Sequence, residues 1–133
     1  MLTLLNQVDI FLLDKKEARA ITGEDDTGTA LRQLAKHARQ VVVKCGVGEA
    51  KMLRNGRIVS SPGFLVKVTD TTDAGDSSDA GLIYAAVIQG MSLAEALRFA
   101  NACGALVTTG LSGTAAQPTR EQVVRFLQEH TAR

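Results

Sequence analysis

The sequence is poor in the residues that would tie it to several large functional classes. Its two cysteines, Cys45 and Cys103, stand alone among 133 residues, with no CxxC pair and no metal-ligand spacing. That excludes a disulfide scaffold and a zinc module and fits a reduced, cytoplasmic setting. Aromatic residues make up 4% of the chain, tryptophan is absent, and the net charge is +1. Without a basic cluster or an aromatic ladder there is no footprint for a nucleic acid. The apolar run in MLTLLNQVDIFLLDKK is too short and too interrupted to span a bilayer and has no signal-peptide layout, so no membrane role is expected. Repeats and low-complexity linkers are missing as well.

What is there is ordinary globular material: 45% apolar and 22% charged residues. The length suggests one domain over residues 1–133, burying on the order of two thirds of its unfolded surface. Val8 to Leu13 is a continuous apolar run that suits a strand buried on both faces. Asp14 and Glu17 have the spacing of a capping box for a short helix that stops at Gly23. Asp25 and Asp26 precede a helix expected over about Thr27 to Ala38, with Ala30, Leu31, Leu34 and Ala35 facing inward. Gln40 to Cys45 is the strongest strand. Ala50 to Arg54, Asn55-Gly56 and Arg57 to Ser60 spell a hairpin, because Asn-Gly is the preferred type I′ turn. Phe64 to Thr69 is expected to be another strand. A helix follows from about Gly75 to Gln89, closed by Gly90. Ser92 and Glu95 cap a helix running to about Thr108, and Thr119 and Gln122 cap a last one ending near Glu129. Strands alternating with helices, plus one hairpin, imply a layered, Rossmann-like α/β domain with a mostly parallel sheet and flanking helices. His37 and His130 are expected on the surface, and the two cysteines as small core residues.

The stretch from Val68 to Gly81 carries the chemistry. A strand, a tight turn of small residues and a helix start aim free backbone N–H groups at an anion. Ala74 and Gly75 let a ligand approach the backbone closely. Asp76 has two readings here: a cap on a core helix, or a base taking a hydroxyl proton beside a phosphoryl group held by the amides. Asp70, Asp73, Asp76 and Asp79 recur every third residue, which is not the period of an EF-hand. Gly46-Val47-Gly48 lacks the third glycine of a dinucleotide fingerprint, since Lys51 stands there.

Asp70-Thr71-Thr72-x-Ala74-Gly75-Asp76-Ser77-x-x-Ala80-Gly81 resembles the C-terminal signature of the ribokinase/PfkB-like carbohydrate kinases. The likeness extends to VDIFLLDKKEARAITG, to VVVKCGVGEAKML and to SLAEALRFANACGALVTTGLSGTAAQPTREQV, so it covers nearly the whole chain. It implies a ribokinase-like fold and ATP-dependent phosphorylation of a sugar or similar hydroxyl compound. It further implies Asp76 as general base, and Asp73, Ala74 and Gly75 as the anion hole. Lys44, Gly46, Asn101 and Gly113 would lie along the nucleotide. Glu17 and Asp14 would help order Mg²⁺ indirectly, and Asp70 and Thr72 would help hold a monovalent cation such as K⁺.

The chain departs from the family pattern at four places. Asp14 replaces an Asn, Glu49 a loop Gly, Ser78 an aromatic residue, and Asp73 the small residue opening the anion hole. A carboxylate about 5 Å from a phosphate oxygen costs about 3 kcal/mol at an effective dielectric of 20. The resemblance reaches only the C-terminal, nucleotide-binding part of such kinases. The N-terminal substrate and lid part is not represented, so weak activity is expected of this chain, with self-association or a partnering N-terminal part. The alternative is a non-catalytic nucleotide- or phosphate-binding module that keeps the kinase fold.

Overall fold

A computed structural model describes residues 2–45, 49–71, 74–110 and 117–130. Where the length suggested one domain, the chain divides into two compact units, Met1–Ser61 and Pro62–Arg133.

The first unit is built on a four-stranded sheet in the order β1-β2-β3-β4. After a single helical turn, α1 (Leu2–Leu5), the chain enters β1 (Phe11–Asp14). It crosses back through α2 (Lys15–Thr22) and α3 (Thr27–Leu34) to β2 (Gln40–Lys44). A crossover of this length is what parallel pairing needs, and β1 and β2 are parallel with Phe11 opposite Val41. β3 (Ala50–Arg54) runs antiparallel to β2, and β4 (Arg57–Ser61) antiparallel to β3. The turn between them has Asn55 and Gly56 at φ 52° and 77°, the left-handed pair that a type I′ turn requires.

Val41, Val42 and Val43 are all buried, so β2 is covered on both faces. Val41 and Val43 join Leu13, Leu31, Leu34 and Leu53 in one core cluster. The expected helix to Ala38 stops four residues early at Leu34, with Ala35 as its C-cap. The carbonyl of Leu34 there accepts two looser bonds, from His37 and Ala38.

The second unit is helical. α4 (Ala74–Ile83) passes into a π-helical turn at Tyr84–Ile88, followed by α5 (Leu93–Thr108) and α6 (Arg120–His130). In the π turn the Gln89 N–H reaches Tyr84 O at 3.0 Å, and Gly90 at φ 64° ends the run. α4 and α5 lie antiparallel and close. A Cβ built on Gly81 would stand 2.7 Å from Cys103 Sγ and 3.3 Å from Ala100 Cα. Only glycine permits this approach.

Phe64–Val68 is not a strand, contrary to its composition. It runs without a ladder, and Leu65 is 85% exposed. β-branched and aromatic residues favour a strand only where a neighbour completes the hydrogen bonding, and none of the described residues pairs with this segment. Among the described residues the parallel character expected of the sheet therefore rests on β1–β2, beside two antiparallel pairings. The segment is held instead by Phe64, whose ring meets Phe126 edge-on at 4.9 Å and lies under the Arg98 guanidinium at 4.8 Å. His130 is not a plain surface residue: its ring stacks on Phe126 at 4.1 Å.

Candidate functional site

The candidate site of the second unit is the start of α4. Ala74 is the first helical residue, so Asp76 falls inside the first turn rather than at the cap. Its side chain is exposed and accepts no hydrogen bond among the described residues. The Ala74 N–H is taken by Thr71 O at 3.3 Å. The N–H groups of Gly75 and Asp76 have no acceptor among the described residues. They belong to the set of orphan donors that every helix start presents, and the helix dipole adds partial positive charge there. An exposed carboxylate beside free amide donors can take a proton from a hydroxyl while the amides hold an anion.

Packing sets the position of this helix start. Ser77 Oγ donates to Cys103 O at 3.3 Å inside the α4–α5 contact. A Cβ on Gly104 would stand 3.2 Å from Ala74 O, so α5 approaches the first residue of α4 closely. The incoming chain hangs from the same, C-terminal end of α5. Thr108 O accepts from Thr69 N at 2.7 Å and from Asp70 N at 3.1 Å. Thr69 Oγ1 donates to Thr109 O at 3.1 Å. Carbonyls at a helix C-terminus need such donors, and here they fix the approach to the motif. Asp70 is exposed at that point. Thr72 and Asp73, expected at a cation and in the anion hole, and Gly113, expected at the nucleotide, lie outside the described residues.

Asn101 is 3% exposed on α5, and its Nδ2 donates to Pro62 O at 3.2 Å. A neighbouring loop therefore supplies a partner for this buried amide. Cys103 is buried too. Desolvation pushes its thiol up to about 12, which makes it a core residue rather than a nucleophile. A cavity of about 440 Å³ opens beside Asp76, lined by Ser77, Gly81, Tyr84, Phe99 and Arg120 among others. Sequence reading missed Tyr84, Phe99 and Arg120 as its walls. Ser77, Gly81 and Tyr84 at i, i+4 and i+7 are the signal that points to one helix face.

In the first unit, Asp14 and Glu17 form the expected capping box. Asp14 Oδ1 accepts from the Glu17 N–H at 2.8 Å, and Glu17 Oε2 accepts from the Asp14 N–H at 2.8 Å. Both side chains are exposed, and each keeps a second carboxylate oxygen. That arrangement fits contact through water with Mg²⁺, which keeps several waters and is held by one or two carboxylates. Among the described residues no three His, Cys, Asp or Glu side chains gather around one point. Lys44 is half-buried at the end of β2, and Gly46 lies outside the described residues. No described helix is long and apolar enough to cross a membrane.

Comparison with known proteins places the chain in a family. Residues 1–120 match the pfkB family carbohydrate kinase pattern. The ribokinase of Haemophilus influenzae is 30% identical over 131 residues, covering 94% of this chain and 42% of that protein. A structure described as a ribokinase II from E. coli, in complex with ATP and Mg²⁺, superposes with a TM-score of 0.85 at 25% identity. The match covers 97% of this chain and 42% of that one. The fructokinase of Vibrio cholerae, with fructose, ADP and calcium bound, superposes with a TM-score of 0.80 at 29% identity, covering 92% and 42%. The chain thus spans less than half the length of the curated relatives it matches. The shared pattern over most of its length, with a ribokinase-like α/β fold, shows that the chain belongs to the pfkB family of carbohydrate kinases.

Proposed function

We propose that this chain carries the phosphoryl-transfer half of an ATP-dependent kinase acting on a sugar or sugar-like hydroxyl compound. The observation that carries the reading is the exposed Asp76 carboxylate beside the Gly75 and Asp76 N–H groups, which have no acceptor among the described residues. Asp76 takes the proton of the acceptor hydroxyl as its oxygen bonds to the γ-phosphorus and the bond to ADP breaks. The Gly75 and Asp76 amides, with Asp73, hold the phosphoryl oxygens, while Ala74, whose N–H is taken by Thr71 O, contributes a small side chain that lets them approach closely. Lys44, Gly46, Asn101 and Gly113 serve the nucleotide, and Asp70 and Thr72 a monovalent cation. Asp14 and Glu17 orient the water shell of Mg²⁺. That ion, when bound, neutralises charge developing on the phosphates. ATP and Mg²⁺ are bound in the E. coli relative, and ADP with fructose in the Vibrio cholerae one, which supports the same ligands here.

A second reading is a module that binds nucleotide without turnover. It is favoured by the sequence, which has the acidic Asp73 at the position where the family has a small residue opening the anion hole. Two measurements separate the readings. Mg-ATP at millimolar concentration should raise Tm in both, and no shift would remove both. ADP release that depends on an added sugar supports the kinase, and its absence with a retained Tm shift leaves the module. Val87 and Ile88, 64% and 67% exposed, support self-association of the second unit. A mass in light scattering that stays monomeric at all concentrations would count against it.

A further inference from the structure

The cavity beside Asp76 has a chemistry that the kinase reading does not use. Its volume, about 440 Å³, falls in the range of about 300–1,000 Å³ in which small-molecule sites are found. One part of its lining is apolar: Tyr84, Phe99 and Val123, of which Phe99 and Val123 are buried. The Tyr84 and Phe99 rings lie 5.6 Å apart, tilted by 35°, in the spacing at which aromatic groups associate. The other part is exposed and polar: Asp76, Gln117 and Arg120. Arg120 has no ion-pair or hydrogen-bond partner among the described residues.

A small polyol set against Asp76 would leave this apolar lining uncovered. Phe99 and Val123 are already out of water, so a flat apolar group next to the hydroxyls would cover half-buried Tyr84 and Pro118 and exposed Ala80, and that burial is the favourable term. Such a group would extend the Tyr84–Phe99 pair, while its polar substituents face Gln117 and Arg120. From the cavity, its two ring walls and the carboxylate beside it, we propose that the acceptor is an aryl-bearing alcohol, with its ring against Tyr84 and Phe99 and its hydroxyl at Asp76. This rests on the reading of Asp76 as the base and adds the class of acceptor to it.

The test compares phenyl β-D-glucopyranoside with methyl β-D-glucopyranoside, two probes that differ only in the aryl group. Binding is followed by NMR titration of the ¹⁵N-labelled chain without nucleotide, and ADP release is measured separately with each probe. The phenyl compound is expected to bind about tenfold more tightly or better, a factor equal to about 1.4 kcal/mol, and to shift the amides of Tyr84 and Phe99. Ala80→Phe adds a ring at an exposed residue lining the cavity and should abolish the preference. Tyr84→Ala, which creates space rather than filling it, should reduce it. Equal affinity for the two probes, or a preference that survives both substitutions, overturns the assignment. Dimerisation that Ala80→Phe abolishes also overturns it, because a second copy would then be the occupant. Phenyl preference without ADP release overturns the kinase reading alone. ADP release without phenyl preference overturns the cavity assignment alone.

Discussion

Asp14 and Lys44 are Cα partners at the C-terminal end of the parallel β1–β2 pair, although 30 positions separate them in sequence. The carboxyl ends of parallel strands are where α/β folds place ligands. Both residues also carry assignments from family resemblance, one toward Mg²⁺ and one toward nucleotide. Asp14 is at the same time the N-cap of α2. Asp14→Asn keeps an acceptor for the Glu17 N–H and should leave urea stability nearly unchanged. Asp14→Ala removes the cap and should cost about 1 kcal/mol. If Asp14 serves Mg²⁺ as well, the Asn variant should still lower the Tm shift produced by Mg-ATP; an unchanged shift would leave it a cap alone.

Asp76→Asn removes the proton acceptor and keeps the shape. Any sugar-dependent ADP release should fall by about a hundredfold or more, the usual loss for a general base, while Mg-ATP binding persists. A variant as fast as the parent would return Asp76 to a purely electrostatic role at the helix start.

Gly81→Ala forces a methyl group to within 2.7 Å of Cys103 Sγ and 3.1 Å of Cys103 Cβ. A loss of about 1–3 kcal/mol is expected in chemical denaturation, the usual cost of overpacking a core. Adding Cys103→Ala removes the sulfur and should restore part of the loss. Full additivity of the two substitutions would mean that the helices separate rather than repack.

Asp26 caps α3, and the backbone hydrogen bond from Thr29 holds its carboxyl below the usual value of 3.8. Its pKa is thus lower folded than unfolded. The stability it contributes is present above pH 3.8 and is lost as the pH falls through the folded value. Replacing it by Asn, which caps without titrating, should flatten the acid limb of a urea-midpoint profile between about pH 2 and 5. An acid limb identical to the parent's would show that other carboxylates govern it.

The two thiols should differ in reactivity. Cys103 is 6% exposed with its pKa near 12, so a disulfide reagent should reach it only on unfolding. Half-buried Cys45 should react first in the native protein. Equal native rates would place Cys103 nearer the surface than its packing against Gly81 allows.

The site was legible in part. The motif located the helix start to within one residue, at about Gly75 where the first helical residue is Ala74. It did not show that Asp76 lies inside the first turn, because that depends on where Thr71 O captures the Ala74 N–H. The cavity was not legible either, since Tyr84 and Phe99 meet only once α4 and α5 are packed.

The sequence by itself determined what is local. The capping boxes at Asp14, Ser92 and Thr119 form because both partners lie three residues apart on one turn. The hairpin at Asn55-Gly56 forms because those two residues accept positive φ. Tertiary structure alone decided the rest. Phe64–Val68 has the composition of a strand and the conformation of none, because a strand's hydrogen bonds must come from elsewhere in the chain. His130 is half-buried because Phe126 stacks on its ring and Phe64 meets it edge-on. The exposure of Asp76, on which the proposed chemistry depends, follows from how α5 fits against Gly81 and Ala74, a distance no single stretch of sequence encodes.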